Sequence, residues 1–147
     1  MLQEIMNALV SPNKTIEMFT YKLETDQSIE KIAAKVQQEC DKNKFALLQT
    51  YNYHEIVEGK GFPIQRKVFI YEICQAKTAS LMLSSHPYFS IFMPCKLAIY
   101  EDNGKTVIST MNMEMVLKSV QSNKELYKNA VTLFNILKSM MNSLANN

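Results

Sequence analysis

The chain has 147 residues, 47% hydrophobic and 20% charged, with 16 Lys and Arg against 14 Asp and Glu. That length fits a single domain, residues 1–147, whose core needs no disulfide or metal staple, and the composition excludes a disordered chain. A net charge of +2 is far from the concentrated basic surface that nucleic-acid binding needs, so no nucleic-acid partner is expected.

Cys40, Cys74 and Cys95 are odd in number, widely spaced and free of any Cys-x-x-Cys pair, which argues against a disulfide framework and a zinc ribbon and for a reducing, cytoplasmic setting. No basic residue precedes the first apolar positions as an export signal requires. No uncharged apolar run approaches the roughly 18 to 20 residues that span a bilayer, so no membrane partner is expected. Gly59, Gly61 and Gly104 form no nucleotide fingerprint.

Leu2, Ile5, Met6 and Leu9 fall at helical spacing and predict a short amphipathic segment over residues 1–11, stopped at Ser11-Pro12. From Thr15 to Leu23 the alternation of Phe19, Tyr21 and Leu23 with polar residues predicts the first strand. Thr25-Asp26 offers an N-cap to a helix whose buried stripe is Ile29, Ile32, Ala33, Val36 and Cys40, ending at Asp41-Lys42-Asn43.

Phe45 to Tyr53 reads as the second strand, Glu58 to Pro63 as a loop, and Val68 to Cys74, apolar on both faces apart from Glu72, as a central strand. Ala76 to Ser85 is a short crossover helix stopped at His86-Pro87. Pro94 to Tyr100 is the next strand, and Asp102-Asn103-Gly104 turns it into a hairpin whose second arm alternates Val107, Ser109, Met111, Met113 and Met115. Ser122-Asn123-Lys124-Glu125 matches a capping box. It opens a C-terminal helix, residues 122–145, striped by Leu126, Ala130, Leu133, Phe134, Leu137, Met141 and Leu144. The order β, α, β, β, short α, β, β, α predicts an α+β domain with a mostly antiparallel sheet, residues 15–115, and helices on one face.

The segment from Phe19 to Met115 resembles the uncharacterised family catalogued as domain of unknown function 302. The residues that carry this are Cys40-Asp41-Lys42-Asn43-Lys44-Phe45 after the first helix, the strand Phe69-Ile70-Tyr71-Glu72-Ile73-Cys74, Lys77 and Ala79 on the short helix, and above all Phe92-Met93-Pro94-Cys95-Lys96-Leu97-Ala98 running to Glu101-Asp102-Asn103-Gly104. The last stretch is similar to the family's Leu-Pro-Cys strand and acidic turn. Many members continue with Asn-Pro where this chain has Gln75-Ala76. The resemblance implies a β-α-β(4)-α, TATA-box-binding-protein-like fold, and a shared fold transfers neither DNA binding nor any other activity.

Cys74 and Cys95 are the candidate ligand-binding residues. Antiparallel pairing of their strands would set both at one rim of the sheet; the plain alternative is that both are small core residues, as expected for Cys40 on the helix stripe. The acidic pair Glu101-Asp102 should lie about 20 Å away at the far end of the strand. No cofactor is identified, and a metal site has no support, since the three cysteines, His54 and His86 contain no ligand-spaced pair.

His86 suits a helix C-terminus, and His54, at a strand end, is expected to be solvated. Cysteine–histidine catalysis needs a base within hydrogen-bond reach of the thiol, which spacing does not establish, and no local signature marks an enzyme. Met111, Met113 and Met115 on one strand face read as core packing; Lys42, Lys44, Arg66 and Lys67 read as ordinary surface charge. Two classes of function remain: a domain binding a small apolar or thiol-reactive ligand between sheet and helix, or a protein–protein interaction or homodimerisation module without chemistry.

Overall fold

The computed structural model describes residues 1–9 and 12–146; the side chains of residues 6–9 and of Met115 lie outside what it describes. The Met6 and Leu9 positions of the N-terminal stripe, the stop at Ser11 and the facing of Met115 therefore fall outside the described residues.

Helix α1 (Leu2–Leu9) is followed by α2 (Pro12–Phe19), which corrects the strand expected from Thr15. Pro12 opens α2 at a position where its missing N–H would be unpaired in any case. Strand β1 (Thr20–Thr25) begins only at Thr20, because its partner strand ends at Met111, which lies opposite Thr20. Before Thr20 the pairing reaches one bond further, the Phe19 carbonyl accepting from the Asn112 N–H at 2.8 Å, and no strand continues beyond it.

The next helix comes in two pieces, α3 (Ile29–Ala33) and α4 (Val36–Lys42). Its cap is Ser28, whose hydroxyl accepts from the Lys31 N–H at 3.3 Å, not Thr25-Asp26. Thr25 is engaged elsewhere, donating from Oγ1 to the Ala145 carbonyl at 2.9 Å, and the Gln27 side-chain amide donates to the same carbonyl at 2.6 Å. Ile29, Ile32, Val36 and Cys40 are buried as their period requires.

Strand β2 (Ala46–Asn52) leads into α5 (Tyr53–Gly59), a helix where a strand end and the start of a loop were expected. No residue of α5 is fully buried, so the apolar period that reveals a helix is absent from it. Strand β3 (Val68–Cys74) and helix α6 (Ala76–Ser85) lie where the pattern puts them. A 3-10 helix (Pro87–Phe92) and a cis Met93–Pro94 bond precede β4 (Cys95–Asp102).

Asn103 and Gly104, with φ of 49° and 76°, form the tight turn into β5 (Lys105–Met111). β5 stops at Met111, which corrects the expected run through Met115. The Asn112 side-chain carbonyl accepts from the Glu114 N–H at 3.1 Å and starts helix α7 (Glu114–Lys118), so Met111 and Met113 do not share a strand face. In α8 (Lys124–Asn146) the N–H of Leu126 donates to Asn123 Oδ1 at 3.1 Å, so Asn123 and not Ser122 is the cap.

The sheet order is β1-β5-β4-β3-β2, antiparallel at every pair. One face carries Tyr71, Ile73, Leu97, Ile99 and Ile108 into a core closed by α3, α4 and the long stripe of α8. On the other face Ile70, Glu72, Ala98 and Tyr100 are half-exposed. This is the α+β arrangement that the alternating and helical periods predict.

Candidate functional site

Two ends of the sheet differ in chemistry. At the hairpin end, charges are paired: Arg66 with Asp102 at 3.2 Å, Lys105 with Asp26 at 2.6 Å, and Lys67 with Glu30. Lys67 holds the Glu30 carboxyl below its ordinary value, and the ammonium is raised in return. The acidic pair of β4 is thus remote from Cys95, as strand length requires.

The opposite end holds a cavity of about 460 Å³, within the range of small-molecule sites. Its origin lies in the packing. Met82 of α6 and Phe89 of the 3-10 helix form a second buried cluster with Val120 and Leu126, separate from the main core. The α6 and 3-10 segment leans on the start of α8, and the gap between the two clusters is the cavity. Ile73, Met113, Leu133 and Leu137 face it from the main core, and Met82 and Phe89 face it from the second cluster. Leu48 reaches it from the register irregularity in β2, which turns that side chain out of the regular alternation.

Both candidate cysteines line this cavity. β3 and β4 pair antiparallel, and Ile73 lies opposite Cys95. Cys74 is one step beyond that pair, so strand alternation turns the two thiols toward different faces of the sheet at the same rim. Cys95 looks to the core face with Ile73, and Cys74 shares the outer face with Lys96 and Met111. Burial raises the Cys95 pKa above its ordinary value, and the negative charge of a Cys74 thiolate raises it further. At neutral pH Cys95 is therefore a neutral thiol in a largely apolar wall. Cys40 is fully buried, with a pKa pushed up to about 11, and lies in the main core away from the cavity lining.

Neither histidine is among the lining residues. His54 is a correction to the solvated placement: it is half-buried, its Nδ1 accepts from the Val68 N–H at 3.0 Å, and its ring meets Phe69 edge-on. His86 ends α6, its N–H donating to the Met82 carbonyl at 2.8 Å and its ring lying edge-on to Tyr88 and Phe89. Among the described residues no group of three or more His, Cys, Asp or Glu side chains is placed to hold a metal ion.

The sequence pattern names the two thiols and, on the stripe of α8, Leu133 and Leu137, but not the gap that they share with Met82 and Phe89. Phe89, Met82, Leu133 and Leu137 come from three helices, and only the long-range packing brings them to one gap.

The chain belongs to a known family: the family model described as domain of unknown function DUF302 matches residues 21–144, reaching through α8 beyond the segment that carried the resemblance. A solved structure, that of the uncharacterized conserved protein DUF302 from Bacillus stearothermophilus, superposes with a TM-score of 0.75 at 21% identity. The match covers 88% of this chain and 99% of that one, and shows the shared fold. No curated protein matches the chain.

Proposed function

We propose that this DUF302 domain binds a small apolar molecule in the cavity at the Cys74–Cys95 rim of its sheet. The cavity itself carries the reading: about 460 Å³ walled by aliphatic, aromatic and methionine side chains, with Lys96, Gln75 and Thr110 as its few polar positions. A site of that kind gains affinity from apolar area removed from water, about 0.8 kcal/mol for each methylene buried. Cys95 favours binding over covalent chemistry, because its raised pKa keeps it out of the thiolate form that attacks electrophiles.

The test is fluorescence titration with N-phenyl-1-naphthylamine, a neutral probe that brightens in apolar surroundings. Saturable binding is expected, lost in Ala79→Phe, which places a ring in the cavity from the half-buried Ala79 position of α6. Equal brightening by both proteins, or none by either, would overturn the reading.

A second reading, a homodimerisation module, is favoured by one observation. Leu2 and Ile5 of α1 and Ile16, Met18 and Phe19 of α2 are exposed, and isolated helices of eight residues are marginal in water without a surface to dock on. Sedimentation of the chain beside Ile5→Asp/Ile16→Asp separates the readings. A dimer that the substitutions dissociate supports this one, and a monomer in both removes it.

A further inference from the structure

The mouth of the cavity is built from an unusual stretch of chain. Between Glu72 and Glu101 there is no carboxylate, and the only permanent charges are Lys77 and Lys96; residues 78–95 carry none. That stretch contains α6 after its first turn and the whole 3-10 helix; it buries Met82 and Phe89 and leaves several other apolar residues exposed. Leu83 is 39% exposed, Tyr88 58%, Ile91 80% and Phe92 46%, and three of these four line the cavity. Lys96 stands at the same mouth. Its cross-strand neighbour is Glu72, whose carboxylate holds the Tyr51 hydroxyl pKa above its ordinary value.

We propose that this mouth docks on an anionic lipid bilayer surface, from which the cavity takes an apolar molecule dissolved in the membrane. The proposal rests on the binding reading above and supplies the source of the ligand. Aromatic and aliphatic side chains on a charge-free protrusion insert into the boundary between head groups and acyl chains, while flanking lysines meet anionic head groups. The contact is peripheral, since no helix among the described residues is long and apolar enough to cross a membrane. A second copy of the chain is a poorer occupant. An isologous contact would set this patch against itself, bringing Lys77 and Lys96 toward the same lysines of the second copy.

The experiment is flotation of the full chain with phosphatidylcholine vesicles, with and without phosphatidylglycerol. The wild type should float with the anionic vesicles. Ser84→Glu/Ser90→Glu, which adds charge at two exposed positions outside the cavity lining, should cut the bound fraction at least tenfold while leaving N-phenyl-1-naphthylamine binding in solution unchanged. Lys77→Gln should weaken binding to anionic vesicles and leave the weaker binding to neutral ones as it was. Failure of the wild type to float would overturn the proposal while the solution titration still stands for the cavity. A dimer in solution that Ser84→Glu/Ser90→Glu dissociates would overturn it in favour of a second copy.

Discussion

Cys74 raises the pKa of Cys95 although alternation turns the two thiols to opposite faces of the sheet. In the native protein Cys95 should label with iodoacetamide faster than Cys40, which is fully buried with a pKa of about 11. Cys74→Ser removes the neighbouring charge, so Cys95 should label faster in that variant near pH 9. An unchanged rate there, followed by mass spectrometry, would show that the two thiols do not communicate, and a slower one that Cys74 does not act on Cys95 through its charge.

The start of α8 gives a sharp contrast between neighbours. Asn123→Ala should lower stability by about 1 kcal/mol, the usual worth of a side-chain N-cap. Ser122→Ala should stay within about 0.5 kcal/mol, as an exposed residue without a capping role. Urea unfolding of the two variants checks the pair, and the reverse ranking would return the cap to the serine.

Leu137 is fully buried on α8 and borders the cavity. Leu137→Ala should cost about 2 to 5 kcal/mol, because the void left behind joins one that is already open and the surrounding helix has little room to collapse. A loss under about 0.5 kcal/mol would place this face in solvent.

Alkaline stability should depend on Cys40 and Tyr71. Burial is the leading cause for both, raising Cys40 from 9.0 to about 11 and Tyr71 from 10.0 to about 12. The folded state thus holds protons that the unfolded chain releases earlier. The contribution of Cys40 is complete below pH 9 and is lost as pH rises to about 11; that of Tyr71 follows between about 10 and 12. Between pH 9 and 10, where the Cys40 thiol ionises in the unfolded chain but stays protonated in the folded one, Cys40→Ala should flatten the fall in stability measured by denaturant unfolding.

What could be read in the residues follows the range of the forces involved. The hairpin at Asn103-Gly104, the stripe of α8 and helix Ala76–Ser85 are set by local turn chemistry and by periods within one segment, and the pattern locates them. Helix α2 was hidden because the alternation of Tyr21 and Leu23 extends back through Phe19 on paper, whereas the ladder ends with Met111 opposite Thr20. Helix α5 and the 3-10 turn lack a fully developed buried stripe: α5 buries no residue and the 3-10 turn only Phe89. At residues 112–114 the amide of Asn112 overrode an alternation that methionines continued. The two thiols stood out as chemistry, but the cavity beside them exists because α6 packs toward α8, a choice made between distant segments.

Strand β1 lies beside β5, so the partner of Thr20 is Met111. At a synthesis rate of about 5 to 20 residues per second, β1 leaves the ribosome roughly 5 to 20 s before the chain that will pair with it. Through that interval Tyr21 and Leu23 have neither sheet nor helix to cover them. Lys22 and Glu24, interleaved with them and still exposed after folding, put opposite charges along the waiting edge and make it a poor template for a neighbouring nascent chain. The last turn of α8 then arrives at Thr25 and Gln27 through the Ala145 carbonyl, so β1 is locked by a residue made 120 positions after Thr25.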